Sequence, residues 1–511
     1  MKQVSVFNNV LGPVMRGPSS SHTAASYHIG RAARDILGEK PRRVRVIFDA
    51  RGSYGKCYLA QGSDKAFAVG LMDWDLLDDV FHNAVEEARG QNAHIEFEVG
   101  GHAEADHPNW TRLELLGESG REASVCARSI GGGSIVITEI NGFPADIRGD
   151  AWVTLIECPT EEAAPVREIL ASHGRTTATE NGNTTLLTLH GTARSPEEDL
   201  RRARGRGIFP RVVRPLFFPV KGSRLWQSAA ELEAFASERG IGIGEAALEY
   251  ECALLGFSRD EAMDEMWRRY TIMKSACERA LSGKLAVSMQ LLRPTAGKLM
   301  AKGMLGELPF FGMHTKAAAR AMALMHANGA MDVVCAAPTG GSAGALPGAV
   351  ITLEDELKLT REQVCLALFA AGAIGVILDT RATFAAEVAG CQVEIGAGGA
   401  MASAACVESA GGSPREALDA ASISFQNTMG SVCDPVQGMV EIPCHTRNAS
   451  AAASAFVNAD LILGGYENSL PLDEVIDAVR EVGEMLPSEL RCTAAGGLSC
   501  CPSAKEMARL R

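Results

Sequence analysis

The chain has 511 residues, room for two to four domains at roughly 100–200 residues each and enough to bury real cores. Lys and Arg total 49 against 62 Asp and Glu, a net charge of −13, which excludes a general nucleic-acid or membrane-surface binder and leaves small molecules or further copies of the chain as partners. Apolar residues at 46% and charged residues at 22% belong to an ordinary folded chain, without a long polar or repetitive tract.

The amino-terminal stretch MKQVSVFNNVLGPVMRGPSSSHT has no continuous apolar run, so it does not read as a secretory signal. Cytoplasm is the expected compartment, with the 14 cysteines reduced and most of them packed in cores. Residues 1–150 mix strand-like runs (Val44–Phe48, His94–Val99, Ser134–Ile140) with helical stretches (Ala24–Leu37, Leu76–Arg89), the pattern of an α+β domain. Residues 151–220 begin a second rhythm. Residues 151–158 form a strand and 160–174 a helix closing at Gly174, and a hairpin turns around Asn181–Asn183, giving a small β-α-β-β domain.

From 221 to 511 Ala- and Leu-rich segments at helical spacing dominate: Ala229–Arg239, Ala262–Leu281, His314–Asn328, Glu362–Leu378, Ser413–Asn427, Ser450–Leu463 and Leu472–Met485. The fold class is therefore multidomain, with a large, mostly α-helical C-terminal domain. Several helices are apolar nearly all round, as inside a bundle or a subunit interface, so a homodimer or higher homo-oligomer is expected. The longest apolar stretch, Val364 to Leu378, is fifteen residues, short for a membrane span and suited to a core helix.

Three clusters carry chemistry. Gly17-Pro18-Ser19-Ser20-Ser21-His22-Thr23 precedes a helix, where small hydroxyl residues either cap free N–H groups or hold a carboxylate or phosphate. Ala337-Pro338-Thr339-Gly340-Gly341-Ser342-Ala343-Gly344 lets backbone amides approach an anion or helices pack tightly. It lacks the Lys-Ser/Thr ending of a nucleotide loop. Cys391 in GCQVE, Cys433 in CDPVQG and Cys444 in PCHTRN stand 42 and 11 residues apart, which is neither zinc-finger nor ferredoxin spacing. Three thiols in loop-like sequence, without a fourth, are nevertheless what an iron–sulfur cluster with one substrate-accessible iron needs.

Together, in this order, the clusters resemble the iron–sulfur-dependent L-serine dehydratases (L-serine ammonia-lyases), with the β-type and α-type regions fused in one chain. The resemblance spans about 1–150 and 220–511, and the middle unit looks like the ACT regulatory fold of some members. It implies a [4Fe–4S] cluster on Cys391, Cys433 and Cys444 and elimination of water from L-serine, or a related small β-hydroxy amino acid, to give pyruvate and ammonia. Such a reaction needs a Lewis acid on the hydroxyl and a base for the Cα proton. His22 and Ser21 are then the catalytic candidates. Ser19, Ser20, Thr23, Thr339, Gly340, Ser342, Arg447 and Asn448 are the substrate contacts, with His445 behind the ligands. Alternatives within the same reading are another β-substituted acid, for example cysteine desulfidation or a 3-hydroxy acid, and an inactive amino-acid-sensing ACT protein.

Two positions depart from the family pattern. Gln61 replaces the histidine of G-H-G-T-D, and Cys492 stands where L-R-E-T has glutamate. Cys492, Cys500 and Cys501 are late thiols that either cover the open iron or pack.

Overall fold

The computed structural model describes residues 3–170, 174–205, 208–285 and 287–510, and the chain forms two compact units. One comprises His22–Ile130 and Ser134–Lys221. The other comprises Met1–Ser21, Gly131–Gly133 and Gly222–Arg511.

The first unit is α+β. Its six-stranded sheet runs His94–Gly100, Pro41–Asp49, Trp110–Gly117, Glu122–Ser129, Ile135–Ile140, Phe143–Ile147, antiparallel except for the first pair. In Trp110–Gly117 burial alternates along the strand, as a sheet with one covered face requires. The Ala25–Leu37 helix packs against the Ser63–Leu71 helix beside it. The expected Leu76–Arg89 helix is shorter than its pattern. Leu77 N–H donates to the Asp75 carboxylate, an Asx turn that competes with helix, and a 3₁₀ turn (Asp79–Asn83) precedes the Ala84–Gly90 helix.

A second sheet in the same unit runs Arg211–Val213, Trp152–Pro159, Thr184–Gly191, Arg175–Asn181, wholly antiparallel. Asn181 pairs with Thr184, so the expected hairpin turns through two residues, Gly182 and Asn183. The helix Ala163–Leu170 covers this sheet through Val166, and a further helix, Glu197–Gly205, adds Ala203 to the same core. The rest of the expected helix, 171–173, lies outside the described residues.

The second unit is mostly helical. The 361–381 helix is long and apolar enough to cross a membrane by length and composition, yet 83% of its apolar window is buried inside the protein, which marks a core helix. Gly372 and Gly375 on it face the Val6–Val10 turn so closely that a Cβ would come within 2.6 Å of Val6 Cγ1 and 2.1 Å of Val10 Cγ1. The turn is fastened by buried Glu251, which accepts hydrogen bonds from the Ser5 hydroxyl, Val6 N (2.8 Å) and Phe7 N (2.9 Å). Val14–Arg16 then pairs antiparallel with Val333–Cys335.

The Ile243–Leu255, Ala345–Leu357 and Ile395–Ser409 helices were not legible from periodicity. The last, IGAGGAMASAACVES, is buried along nearly its whole length, so it has no polar face to set a 3.6-residue rhythm. The carboxy-terminal part of the core is built from this helix, Pro414–Thr428 and Cys444–Leu463.

Candidate metal centre and the loops around it

All features of the metal centre described next belong to the helical unit. Cys391 opens a 3₁₀ turn (Cys391–Val393), Cys433 sits in a loop, and Cys444 is the first residue of the Cys444–Leu463 helix. At that helix start the backbone dipole favours a thiolate. All three cysteines are buried, and Cys391 and Cys433 pack in one cluster with Cys492. The sulfurs of Cys391 and Cys433 and a carboxylate oxygen of Glu394 lie within 4.8 Å of one another. Hydrogen-bond contact with Cys391 and Cys492, then burial, pushes the Cys433 thiol well up. Cys444 is pushed up by burial and by the charge of Cys391 and Glu394. Burial and mutual crowding therefore keep these thiols protonated in the bare protein, and a soft metal group, which takes them as thiolates, supplies the positive charge that their surroundings withhold. The donor set therefore fits an iron–sulfur group and gives little support to a hard oxygen-loving cation.

Polar residues of the same motifs hold the ligand loops. The Gln392 amide donates to Ala389 O (2.9 Å) and Val479 O (3.1 Å) and accepts from Gly430 N (2.9 Å), tying the Cys391 turn to the loop that leads into Cys433. Arg447 donates to Val432 O (2.8 Å), pairs with Asp434 (3.0 Å) and lies 3.8 Å from Cys391 Sγ. Asn448 uses both ends of its side chain. Its Oδ1 accepts from Gly344 N (3.2 Å) and Ala345 N (3.0 Å), while its Nδ2 donates to Gly341 O and Cys444 O (both 2.9 Å). The Ala345–Leu357 helix has no side-chain cap of its own, so Asn448 caps it from a distant helix and bolts the Gly-rich loop to the Cys444 helix. His445 turns away to His326 (Nδ1 to Nδ1, 3.0 Å). His326 Nε2 accepts from Thr295 N and Ala296 N, so His326 donates at Nδ1 and His445 carries its proton on Nε2.

The serine loop and the Gly-rich loop meet in this unit. Gly340 N donates to Ser20 Oγ (3.1 Å), and a Cβ on Gly340 would stand 2.8 Å from Ser20 N and 3.0 Å from Pro18 O. Thr339 and Ser342 form a reciprocal capping box. Ser19 and Ser21 hydroxyls are 3.4 Å apart. Two glutamates that the motif reading left without a role complete the surroundings. Burial pushes Glu387 up to about 8, with Glu394 adding to the shift and a hydrogen bond from Ser21 opposing it. Burial pushes Glu394 up to about 7 against a hydrogen bond from Thr339. Cys391 also lines a cavity of about 310 Å³ with Arg447, Ser424, Thr428, Ser450 and Ser454. Its hydroxyls come from helices whose Ala and Ser content reads as ordinary packing, so sequence carried no signal for it.

His22 and Thr23 belong to the α+β unit. The residue before the Ala25–Leu37 helix is Ala24, which makes no side-chain cap, so simple capping does not account for the serine-rich run. His22 Nε2 is 3.1 Å from Ser53 Oγ, its ring meets Tyr54 edge-on at 5.1 Å, and its carbonyl accepts from the Ser26 and Ser63 hydroxyls. Burial holds His22 down to about 4, against the Ser53 contact, so its imidazole is neutral at pH 7. Thr23 donates to the carbonyl of buried Gln61 (2.7 Å). Of the late thiols, Cys492 is buried in the cysteine cluster, whereas Cys500 and Cys501 are exposed.

Soft sulfur donors gathered in a helical core, beside hydroxyl-rich loops and carboxyls shifted toward neutrality, define a metal-centred enzyme for a small polar substrate. Residues 223–499 match the family model described as serine dehydratase alpha chain, and the chain belongs to that iron–sulfur-dependent family, with a β-type region fused ahead of the α-type one. Among its relatives, a Bacillus subtilis protein named "Probable L-serine dehydratase, alpha chain" is 35% identical over 283 residues, covering 55% of this chain and 94% of the relative. The L-serine dehydratase alpha chain of Peptoniphilus asaccharolyticus is 33% identical over 282 residues, covering 55% of this chain and 97% of that protein. A Bacillus subtilis protein named "Probable L-serine dehydratase, beta chain" is 43% identical over 156 residues, covering 30% of this chain and 69% of its own length.

Proposed function

We propose that the chain is an L-serine ammonia-lyase that eliminates water from L-serine to give pyruvate and ammonia, with a [4Fe–4S] cluster held by Cys391, Cys433 and Cys444. The observation that supports this reading is the packing of buried Cys391 against buried Cys433 in the helical unit, with the buried thiol of Cys444 near enough to feel the charge of Cys391. The relatives' printed names favour serine over the other β-substituted acids.

When bound, the cluster supplies Lewis acidity toward the leaving hydroxyl. The chain's residues do the rest. Ser19, Ser20 and Ser21, with the Gly340 amide, offer a dense set of hydrogen-bonding groups for a small zwitterion. Thr339 and Ser342 fix the facing loop. Arg447 keeps positive charge beside the Cys391 sulfur, and Asn448 sets the spacing of the two loops. The neutral imidazole of His22 is a base able to take the Cα proton, with Ser21 next in chain and Thr23 on its other side. Glu387, protonated at neutral pH, is able to donate through Ser21. Residues 1–150, 151–220 and 221–511 are taken as the β-type domain, an ACT-like domain and the cluster-binding domain of a cytoplasmic homo-oligomer.

The test is anaerobic reconstitution of the full chain with iron and sulfide, followed by 2-oxo acid release from L-serine, L-threonine and L-cysteine and unsaturated-acid release from 3-hydroxy acids. Pyruvate release fastest from L-serine is expected, with loss of bound iron, sulfide and turnover in Cys391→Ser, Cys433→Ser and Cys444→Ser. A fully loaded chain that releases no 2-oxo acid from any of them refutes the reading.

A further inference from the structure

The cavity of about 310 Å³ beside Cys391 has no task in the reaction proposed above, since neither the serine loop nor the Gly-rich loop lines it. Its size is at the lower end of the roughly 300–1,000 Å³ of small-molecule sites. Arg447, Ser450, Ser454 and Asn458 line it from one face of the Cys444–Leu463 helix, and at about 1.5 Å per residue they span about 16 Å. Across from them the Ile395–Ser409 helix contributes glycines. A Cβ on Gly396 would stand 2.7 Å from Thr428 Oγ1, and one on Gly399 would stand 3.4 Å from both Ser424 Oγ and Ala451 Cβ, so larger residues there would close the space.

Most hydroxyls around the cavity have spent their protons. Thr428 donates to Ser424 O (3.0 Å), Thr446 to Pro443 O (3.1 Å) and Ser454 to Ser450 O (2.8 Å), so each has only an oxygen left to offer. Ser403 donates to Gly399 O (2.8 Å) and can therefore only accept from Asn458 Nδ2 (3.1 Å), which orients the Asn458 amide and leaves its Oδ1. That oxygen and the Ser424 hydroxyl have no hydrogen-bond partner among the described residues, although Ser424 and Asn458 are each 3% exposed. Buried polar groups in folded proteins are paired, so two left over at one cavity call for a ligand. Arg447 gives Nη1 to Val432 O and Nη2 to Asp434, which leaves its Nε–H. Among the described residues no carboxylate lines the cavity.

We propose that this cavity is a second ligand site, for an α-amino acid with a side-chain amide. Arg447 takes the carboxylate, the Ser424 hydroxyl and the oxygens beside it take the ammonium group, and Asn458 Oδ1 and Ser454 Oγ accept from the amide at the far end. A cation at one end and oxygens that accept without donating along the rest match a molecule with one carboxylate and several N–H groups. A lysine-like head would stand there as an unpaired charge, which is costly away from water. Alanine or serine is too short to reach from Arg447 to Asn458.

The test is equilibrium dialysis of the anaerobically reconstituted full chain against ¹⁴C-labelled L-glutamine and L-asparagine, neither of which has a β-hydroxyl to eliminate, with L-alanine and L-lysine for comparison. One equivalent of L-glutamine or L-asparagine is expected per chain, held about tenfold or more tighter than L-alanine or L-lysine. Ser424→Ala removes one hydroxyl, adds no bulk and weakens binding about tenfold. Ser454→Leu, on the exposed side of its helix, fills the cavity and abolishes binding. Should Ser424→Ala fail to fold, Ser454→Leu carries the test alone. Absence of binding by both amides overturns the proposal. Equal binding by wild type and the folded variants overturns it too, and so does a preference for L-alanine or L-lysine. Pyruvate release from L-serine without amide binding refutes this site alone, whereas amide binding without pyruvate release refutes the lyase reading alone.

Discussion

Replacing Asn448 by Ala removes four hydrogen bonds at once, and their partners set the size of the loss. Gly344 N and Ala345 N are the first amides of a helix without another cap, and each loses the one partner described for it. A buried N–H left without an acceptor costs about 1–3 kcal/mol, so the pair costs roughly 2–6 kcal/mol. Gly341 O and Cys444 O lose a second, weaker share. The Cys444 carbonyl heads the Cys444–Leu463 helix and keeps its place in the helical ladder, so the estimate rests on the two amides. At about 2–4 °C per kcal/mol, a loss near 3 kcal/mol lowers the unfolding midpoint of the helical unit by roughly 6–12 °C. Differential scanning calorimetry under anaerobic conditions reads this, with iron content measured on the same sample. Asn448→Asp separates the two halves of the interaction. It retains the acceptors for the amides but sets a carboxylate against Gly341 O and Cys444 O, so it should lose iron as well as stability. A midpoint within about 2 °C of wild type for Asn448→Ala, with full iron, would refute the view that this side chain bolts the loop to the ligand helix.

Three further outcomes are expected. Gly340→Ala forces a methyl group against the backbone of Pro18 and Ser20, so it should cost about 1–3 kcal/mol and raise the KM for L-serine more than it lowers kcat; an unchanged KM counts against the serine loop as a substrate contact. Arg447→Lys keeps the charge but cannot span Val432 O, Asp434 and Cys391 Sγ together, so cluster loss in air should speed up about 10–100-fold, followed by bleaching of the visible band. His107 is held down to about 4, by burial first and then Arg128, with Nδ1 accepting from Asn109 N. Its lowered value means the unfolded chain binds the extra proton: its stabilisation is complete above about pH 6.5 and is lost as pH falls toward 4, by up to about 3 kcal/mol. His107→Asn should flatten the pH dependence of urea unfolding in that window, and an unaltered slope contradicts the assignment.

The candidate ligand cysteines were legible through the family motifs that hold them, since a Gly or Pro beside each marks loop-like sequence without by itself separating a ligand from a packed thiol. The thiol of Cys492 was visible as a residue but not as a neighbour of Cys433, since 59 positions separate them and a single bridge between two loops brings them together. Glu387 and Glu394 stood in plain view within AEVAGCQVE, yet only burial distinguishes a shifted carboxyl from a solvated one. In the fold, helices with a polar face such as Leu472–Met485 matched their pattern. Helices buried on all sides, Ala345–Leu357 and Ile395–Ser409, offered no rhythm to read, and the strands Trp110–Gly117 and Glu122–Ser129 were missed between the stronger signals around them.

The amino-terminal turn that slots against Gly372 and Gly375 has a bearing on how the protein is made. Val6 leaves the ribosome 366 residues ahead of the groove that receives it, and at about 5–20 residues per second it waits roughly 20–70 s with its apolar side chains uncovered. Throughout that interval the α+β unit can finish folding while the segment before it stays loose, a window in which chaperone capture or early proteolysis would fall on Val6–Val10.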